Sequence, residues 1–511
     1  MSSAVIAVDT LVVGSGPSAL TLSYLLNGYE PYYDGELEGE EKIDPIIHEL
    51  FSSTPGSMFG PVLHSRALHT YLANSHSSDP AATTCAMNGL FDRLAAPNFD
   101  FDPNARSQSR IRYKKTGISV PHLVVGSSLC SGGQWACVDE ANSRTLSYGE
   151  MLSLPGFSFS EFHALVHPGV ILDPCTRPPR SDVSAYYSMY PSRVGISDTI
   201  RANHTVLSLR RSSSGKTFTV IIQDNHSGRL TVVSARNITL ASGIFSHSVP
   251  PDPILHPVLD RTSSRSASQE KLTLVIGSGF SAADAVLTCP SDHKVLHLFK
   301  WDPRLKPSPL RGCHQESYPE YAGLYKLMRQ AAIKNNTPTC RACLKDKHMS
   351  RELPLSSRYE GMANSTLLSA SPWSVHIRTS SGKIVERYVT EIKTHVGRFG
   401  VISYLSSELR AELGLDPGQF WASRHTFRSR IDSRLNRWTV LRKDGSLDET
   451  YVLDLTERES SDLFSASHGL ELAPGVFVIG SLVGDTLVRY TLGSCVTVAG
   501  NILDRYKIYS S

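Results

Sequence analysis

Apolar runs that end in glycine organise this chain. Thr10-Leu-Val-Val13 runs into Gly14-Ser-Gly16-Pro-Ser-Ala19, and Leu272-Thr-Leu-Val-Ile276 runs into Gly277-Ser-Gly279-Phe-Ser-Ala282. Small, apolar, helix-compatible residues follow each run. The pattern predicts a strand at 8–13, a tight turn and a helix from about 17 to 27, with the same device repeated in the second half. Between them lies a stretch to about 120 that is rich in Pro, Gly, Ser and Asp, with one helical patch near 59–73. Asn27-Gly-Tyr-Glu-Pro-Tyr-Tyr33 shows no strand-like lead. The next apolar strand is Pro121-His-Leu-Val-Val125, which runs into Gly126 and then Ser131-Gly132-Gly133-Gln134-Trp135. Residues 28–120 therefore read as an insertion. Because a bare loop of that length is improbable, it must carry its own packing or cover a site.

From 204 to 243 the alternation has period two. Thr205–Leu209, Thr217–Ile222 and Leu230–Val233 form a β-meander, and Asn237–Gly243 returns to a parallel sheet. Residues 262–270 are a polar linker. An echo of the meander follows the second glycine turn, with Ser374–Arg378 and Ile384–Val389 leading to Thr394–Arg398. Each half thus repeats one plan. The last segment is a buried strand, Val476-Phe-Val-Ile-Gly480, then Ser481-Leu-Val-Gly484-Asp485 and an apolar stretch to Leu503.

The chemistry that fits this plan is dinucleotide binding. A strand, glycine turn and helix seat a pyrophosphate on a helix N-terminus, where unpaired N–H groups and partial positive charge face the phosphates. Gly14, Gly16, Ser18 and Ala19 are the candidates in the first site, and Gly277, Gly279, Ser281 and Ala282 in the second. Two such sites in one chain point to electron transfer between two cofactors. Asp485 reads either as a helix N-cap or as an acceptor for a cofactor hydroxyl. Lys300 and Arg304 follow the strand Val295–Phe299 and suit a 2′-phosphate, although Asp302 between them favours the unphosphorylated coenzyme. Asp34 or Glu36 stands at about the right distance after the first fingerprint to bind ribose. If 121–125 is the second sheet strand, its Gly-Ser-Ser exit leaves that task to Ser127, Ser128 or the backbone.

Composition narrows the partners. Of 511 residues, 51 are Lys or Arg and 48 Asp or Glu, a formal charge of +3, which gives no reason to expect nucleic acid or an anionic membrane. No apolar run approaches the roughly 18 residues that span a bilayer. No basic region precedes the first apolar stretch, so the expected location is cytoplasmic. The nine cysteines have no disulfide-framework spacing. Cys340 and Cys343 form the one close pair, and without a second pair at zinc-site distance they read as two ordinary thiols. No histidine spacing suggests a metal.

Gly14–Ala19, Gly132-Gly-Gln-Trp135, Leu240-Ala-Ser-Gly243, Gly277–Asp284 and Val476–Asp485 together resemble the flavin-containing monooxygenase superfamily, and within it the oxidative stress-induced growth inhibitor family. Arg177-Pro-Pro-Arg180 followed by Tyr186, Tyr187 and Tyr190 resembles a stretch of N-hydroxylating flavin monooxygenases. The resemblance implies an α/β fold with two Rossmann-like domains, one for FAD and one for NADP, each with a β-meander. Residues 1–270 would bind FAD and carry the insertion at about 28–120. Residues 271–402 would bind NADP, and 403–511 would return to a discontinuous FAD domain. Gly132, Gly133, Gln134 and Trp135 would approach FAD, and Gly484 and Asp485 would close over it. NADPH would reduce FAD, which would then activate O₂ at C4a towards a small oxidisable substrate. The Phe-x-Gly-x-x-x-His signature of such enzymes is missing. Ile244-Phe-Ser-His247 stands near its place, and Phe59–His64 matches neither its spacing nor its position. The gap leaves open a regulatory flavoprotein acting through protein partners, with growth restraint and oxidative-stress response implied, or an NADPH oxidase that releases peroxide.

Overall fold

A computed structural model describes residues 5–35, 44–65, 67–68, 71–72, 85–97, 109–136, 144–260, 271–303, 308–336, 355–423, 426–427, 470–485 and 487–510. The linker 262–270, Glu36, Arg304, Cys340 and Cys343 lie outside the described residues. The chain divides into two compact units. One is Met1–Ser246 with Phe399–Ser511, and the other is His247–Arg398. The first division falls earlier than residue 270 because Val258 is buried in the second unit's core with Leu274, Leu296 and Val375.

In the first unit, strand Ile6–Val13 lies at the centre of a sheet. It pairs in parallel with His122–Val125 on one side and with Leu230–Leu240 on the other. Ile200–Arg201 extends the sheet beyond 122–125, and Val476–Val478 extends it beyond 230–240. In chain order the parallel strands are therefore arranged 3-2-1-4-5, with the reversal between strands 1 and 4. The central strand is buried on both faces from Asp9 onward and ends in the apolar run Leu11-Val-Val13. Its two polar residues are paired, Asp9 Oδ1 accepting from Thr10 and from Asn237 Nδ2.

Helix Pro17–Leu26 is buried along its length from Ser18 to Leu26. It lies between the sheet and the C-terminal helix Leu492–Ser510. Each of Leu20, Leu22, Leu25 and Leu26 is fully buried, worth about 1.5–3 kcal/mol apiece.

The meander differs from expectation in one respect. Leu230–Leu240 is a single eleven-residue strand, not two. Its first half pairs antiparallel with Phe218–Asp224 and its second half parallel with Ile6–Val13. Ser234-Ala-Arg-Asn237 contains no breaker, so the meander runs straight into the parallel sheet. A second correction concerns Tyr29–Tyr33, which is a strand. It pairs antiparallel with Ile111–Lys115 in a sheet separate from the parallel one. The insertion also contributes helices Pro45–Ser52 and Ala86–Ala95, and a 3₁₀ turn at Pro61–His64.

In the second unit, Lys271–Ile276 pairs in parallel with His293–Phe299 and Glu391–Thr394, and Tyr359–Ala363 extends the sheet beyond 293–299. The order is 3-2-1-4, again with the reversal beside the first strand. Helix Phe280–Leu287 follows the glycine turn, and Pro319–Asn336 follows the second strand. The meander here has three strands. Thr366–Ala370 precedes the two expected from the sequence.

Candidate functional site

The two glycine turns have the same geometry. Gly14 has φ +113° and Gly277 φ +145°, conformations that L side chains rarely adopt. A Cβ on Gly14 would collide with the Ala241 carbonyl, and one on Gly277 with the His395 carbonyl. Ala241 and His395 are each the residue that follows the fourth parallel strand of their unit. Both glycine turns therefore sit in the crevice where strand order reverses, the place where open α/β sheets bind ligands. Gly16 and Gly279 are the extended residues before the two helices, and neither helix has an acid in its first turn. Free N–H groups there favour an anion.

Around the first turn the structure gathers most of the expected residues. The Gly132 N–H donates to the Ser15 carbonyl at 2.9 Å. Gly133 passes so close that a Cβ on it would lie 3.0 Å from the Gly16 Cα. Arg180, on helix Arg180–Val194, supports this loop by donating from Nη2 to the Gln134 carbonyl at 3.0 Å, with its guanidinium 5.8 Å from the Trp135 ring. Of the three tyrosines of that helix, Tyr187 packs against Gly132 and lies 6.2 Å from the Trp135 ring, centroid to centroid. All three are fully buried, and their hydroxyls donate to the carbonyls of Phe157, Leu152 and Pro155 at 2.6, 2.9 and 2.6 Å. They staple the 150–157 segment to the core.

The C-terminal segment returns to the same turn. A Cβ on Gly480 would lie 2.7 Å from Ser18 Oγ, and Cys495 Sγ donates to the Ser18 carbonyl at 3.3 Å. Ser481 Oγ lies 3.3 Å from where a Gly243 Cβ would be and accepts from the Ile244 N–H at 3.2 Å. Gly480–Val483 is a 3₁₀ turn, Gly484 has positive φ, and buried Asp485 follows. The helix begins only at Leu492, so Asp485 is not its N-cap. Asp485 Oδ2 accepts from Asn88 Nδ2 at 2.8 Å, on the insertion helix Ala86–Ala95. One turn on, Asp92 and Arg489 form a buried bidentate ion pair at 2.8 and 2.6 Å. The insertion is therefore built into the first unit's closure. Asp34 lies elsewhere, paired with Arg112 on the separate two-stranded sheet.

Among the described residues, Ser15 Oγ and Trp135 Nε1 are buried polar atoms with no hydrogen-bond partner, both beside the first turn. A bound ligand's polar atoms would satisfy them. Sequence reading missed Ser15, Arg180's contact, Ser481, Asn88 and the Asp92–Arg489 pair. Ser15 lay inside the fingerprint and was accessible to it.

In the second unit, Ala282 is buried against Gly277, while Ser281 is exposed on the first turn of its helix. Lys300 is exposed just after strand His293–Phe299. The neighbouring Trp301 is clamped by Asn364, whose Oδ1 accepts from the Trp301 N–H at 2.7 Å and whose Nδ2 donates to its carbonyl at 3.0 Å. His297 is fully buried beneath the turn. Its Nε2–H donates to the Gly277 carbonyl at 2.7 Å, so Nδ1 accepts from the Tyr359 hydroxyl at 2.9 Å. Burial pushes its pKa down to about 4, keeping it neutral.

No family model matches the chain. It is 27% identical to oxidative stress-induced growth inhibitor 1 of Homo sapiens over 360 residues, 64% of this chain and 70% of that protein. It is 22% identical to an oxidative stress induced growth inhibitor homologue of Caenorhabditis elegans over 526 residues, 97% of this chain and 94% of that one. Its curated relatives are oxidative stress-induced growth inhibitors. Among solved structures, a flavin-containing monooxygenase from Stenotrophomonas maltophilia is 12% identical with a TM-score of 0.45, covering 99% of this chain and 100% of that one. A bacillithiol disulfide reductase from Staphylococcus aureus is 10% identical with a TM-score of 0.44, each chain covered to 99%. No helix among the described residues is long and apolar enough to cross a membrane, and no group of His, Cys, Asp or Glu among them could hold a metal.

Proposed function

We propose that the protein is an FAD- and NADPH-dependent flavoprotein of monooxygenase type, with two Rossmann-like domains. The observation that carries the reading is the doubled switch-point geometry, with Gly14 against Ala241 in one unit and Gly277 against His395 in the other. The first site fits FAD. Gly14, Gly16, Ser18 and Ala19 would hold its pyrophosphate at the N-terminus of helix Pro17–Leu26. Gly132, Gly133, Gln134 and Trp135 would line the ring, offering the unpartnered Trp135 Nε1, with Ser15 Oγ below. Gly484 and Asp485 would close the ribityl side. The second site would take NADPH through Gly277, Gly279, Ser281 and Ala282, with Lys300 towards the 2′-phosphate. FAD bound in the first site supplies electron transfer from a nicotinamide to O₂. The protein's part is to bind, to orient and to exclude water.

Among the described residues no group of His, Cys, Asp or Glu could hold a metal, and a flavin enzyme needs none. The substrate on this reading is a small oxidisable molecule. The test is the absorbance spectrum of the purified protein with identification of the released cofactor, followed by NADPH-dependent O₂ uptake. Bound FAD with NADPH-driven O₂ uptake supports the reading, and a colourless protein that cannot be reconstituted with FAD overturns it. Uptake that appears entirely as hydrogen peroxide would identify an NADPH oxidase. A second reading, a regulatory flavoprotein, draws on the relatives' description as growth inhibitors. It expects bound flavin that NADPH does not reduce.

A further inference from the structure

The insertion meets the C-terminal segment at Asp485 through the Asn88 side chain. Helix Ala86–Ala95 lies so close to the start of the C-terminal helix that a Cβ on Gly493 would collide with the Met87 carbonyl. Asn88 sits in this contact at 1% exposure, with both ends of its amide engaged. Its Oδ1 accepts from the Ser494 N–H at 2.7 Å, satisfying a donor in the opening turn of helix Leu492–Ser510. Its Nδ2 donates to Asp485 Oδ2 at 2.8 Å. An asparagine amide does both without adding a charge. Charged and titratable groups near it include Asp485, the Asp92–Arg489 pair, the Cys495 thiol and the Cys85 thiol. Burial, and then the Asp485 charge, push that thiol up to about 12, so it stays neutral.

We propose that Asn88 is a positioning residue for the flavin site, holding the Asp485 carboxylate where it meets the cofactor. This rests on the flavin reading above. It gives the insertion a role inside the site, through a residue that touches no cofactor itself.

Asn88→Asp tests it. The substitution keeps an acceptor for the Ser494 N–H and puts a carboxyl where the donor was. Two carboxyls at that spacing share a proton, so the contact survives at low pH and turns repulsive as the pH rises and that proton leaves. FAD affinity of the apoprotein is titrated at about pH 5.5 and about pH 8. Wild type should change by less than about threefold, and Asn88→Asp should weaken at least about tenfold towards high pH. Thermal unfolding of the apoprotein is followed alongside. If Asn88→Asp unfolds at high pH, Asn88→Ala carries the test at about pH 8, because it removes the donor to Asp485 without adding a charge. Folded Asn88→Ala with FAD affinity at least about tenfold weaker supports the role, and wild-type affinity overturns it. Asn88→Asp that binds FAD like wild type at both pH values overturns the role alone. Wild-type protein that binds no FAD overturns the flavin reading and this role with it.

Discussion

Gly133→Ala is the substitution that best separates site geometry from general stability. Gly133 has φ +59°, and a Cβ there would lie 3.0 Å from the Gly16 Cα and 3.2 Å from the Gly16 nitrogen. The left-handed backbone costs an alanine about 1–2 kcal/mol. The contact is short of ordinary carbon–carbon separation by about 0.5 Å, so the Gly132–Trp135 loop must retreat from the fingerprint by that much. Gly228→Ala is the control. Gly228 has φ +71° with nothing within 4 Å of its Cβ position, so it carries the backbone cost without the contact. Gly228→Ala should lose about 1–2 kcal/mol in urea unfolding, and Gly133→Ala that much together with the cost of the loop's retreat. Only Gly133→Ala should lose FAD affinity, by about 10–100-fold in a titration of apoprotein followed by flavin fluorescence. Equal FAD affinity in the two variants would refute the reasoning, because the loop would then have no part in binding.

Other outcomes follow from the same structure. Arg489→Ala leaves the buried Asp92 carboxylate without its bidentate partner and should cost about 3–5 kcal/mol in denaturant unfolding, and a loss under about 1 kcal/mol would contradict the burial argument. Gly277→Ala forces a methyl onto the His395 carbonyl, so NADPH should no longer reduce the protein while its FAD content stays at the wild-type level. His297 is buried neutral with its pKa lowered to about 4, so the stability it contributes is full above the unfolded value of 6.5. That stability is lost as the pH falls from there towards 4, by about 3 kcal/mol in total. His297→Gln should flatten that part of the stability–pH curve of the second unit, and an unchanged curve would assign the acid loss elsewhere.

What could be read from the sequence was local. The glycine turns stood out because each needs a backbone that only glycine adopts, directly after a doubly buried strand. The meanders stood out by their period of two. Where the sequence misled, a partner far along the chain decided the outcome. Tyr29–Tyr33 contains Pro31 and no aliphatic residue, and it becomes a strand only by pairing with 111–115. Ser234–Asn237 looked like a break, but it is held extended by strands on both sides. Helix Ala86–Ala95 supplies Asn88 and Asp92, whose partners Asp485 and Arg489 lie 397 residues further on, and no local pattern connects them. Asp485 looked like a helix cap because the sequence does not mark the 3₁₀ turn at 488–490 that lies between it and the helix start at Leu492. The first unit's site is thus a local fingerprint closed by distant residues.

On the proposed function, the protein carries electrons from NADPH to a bound flavin. An anaerobic titration of the purified protein with NADPH, followed through the visible flavin bands, tests it directly. Stoichiometric bleaching, reversed when air is admitted, is the expected result. Bands that stay unchanged through excess NADPH would contradict it and leave the second glycine turn without a catalytic role.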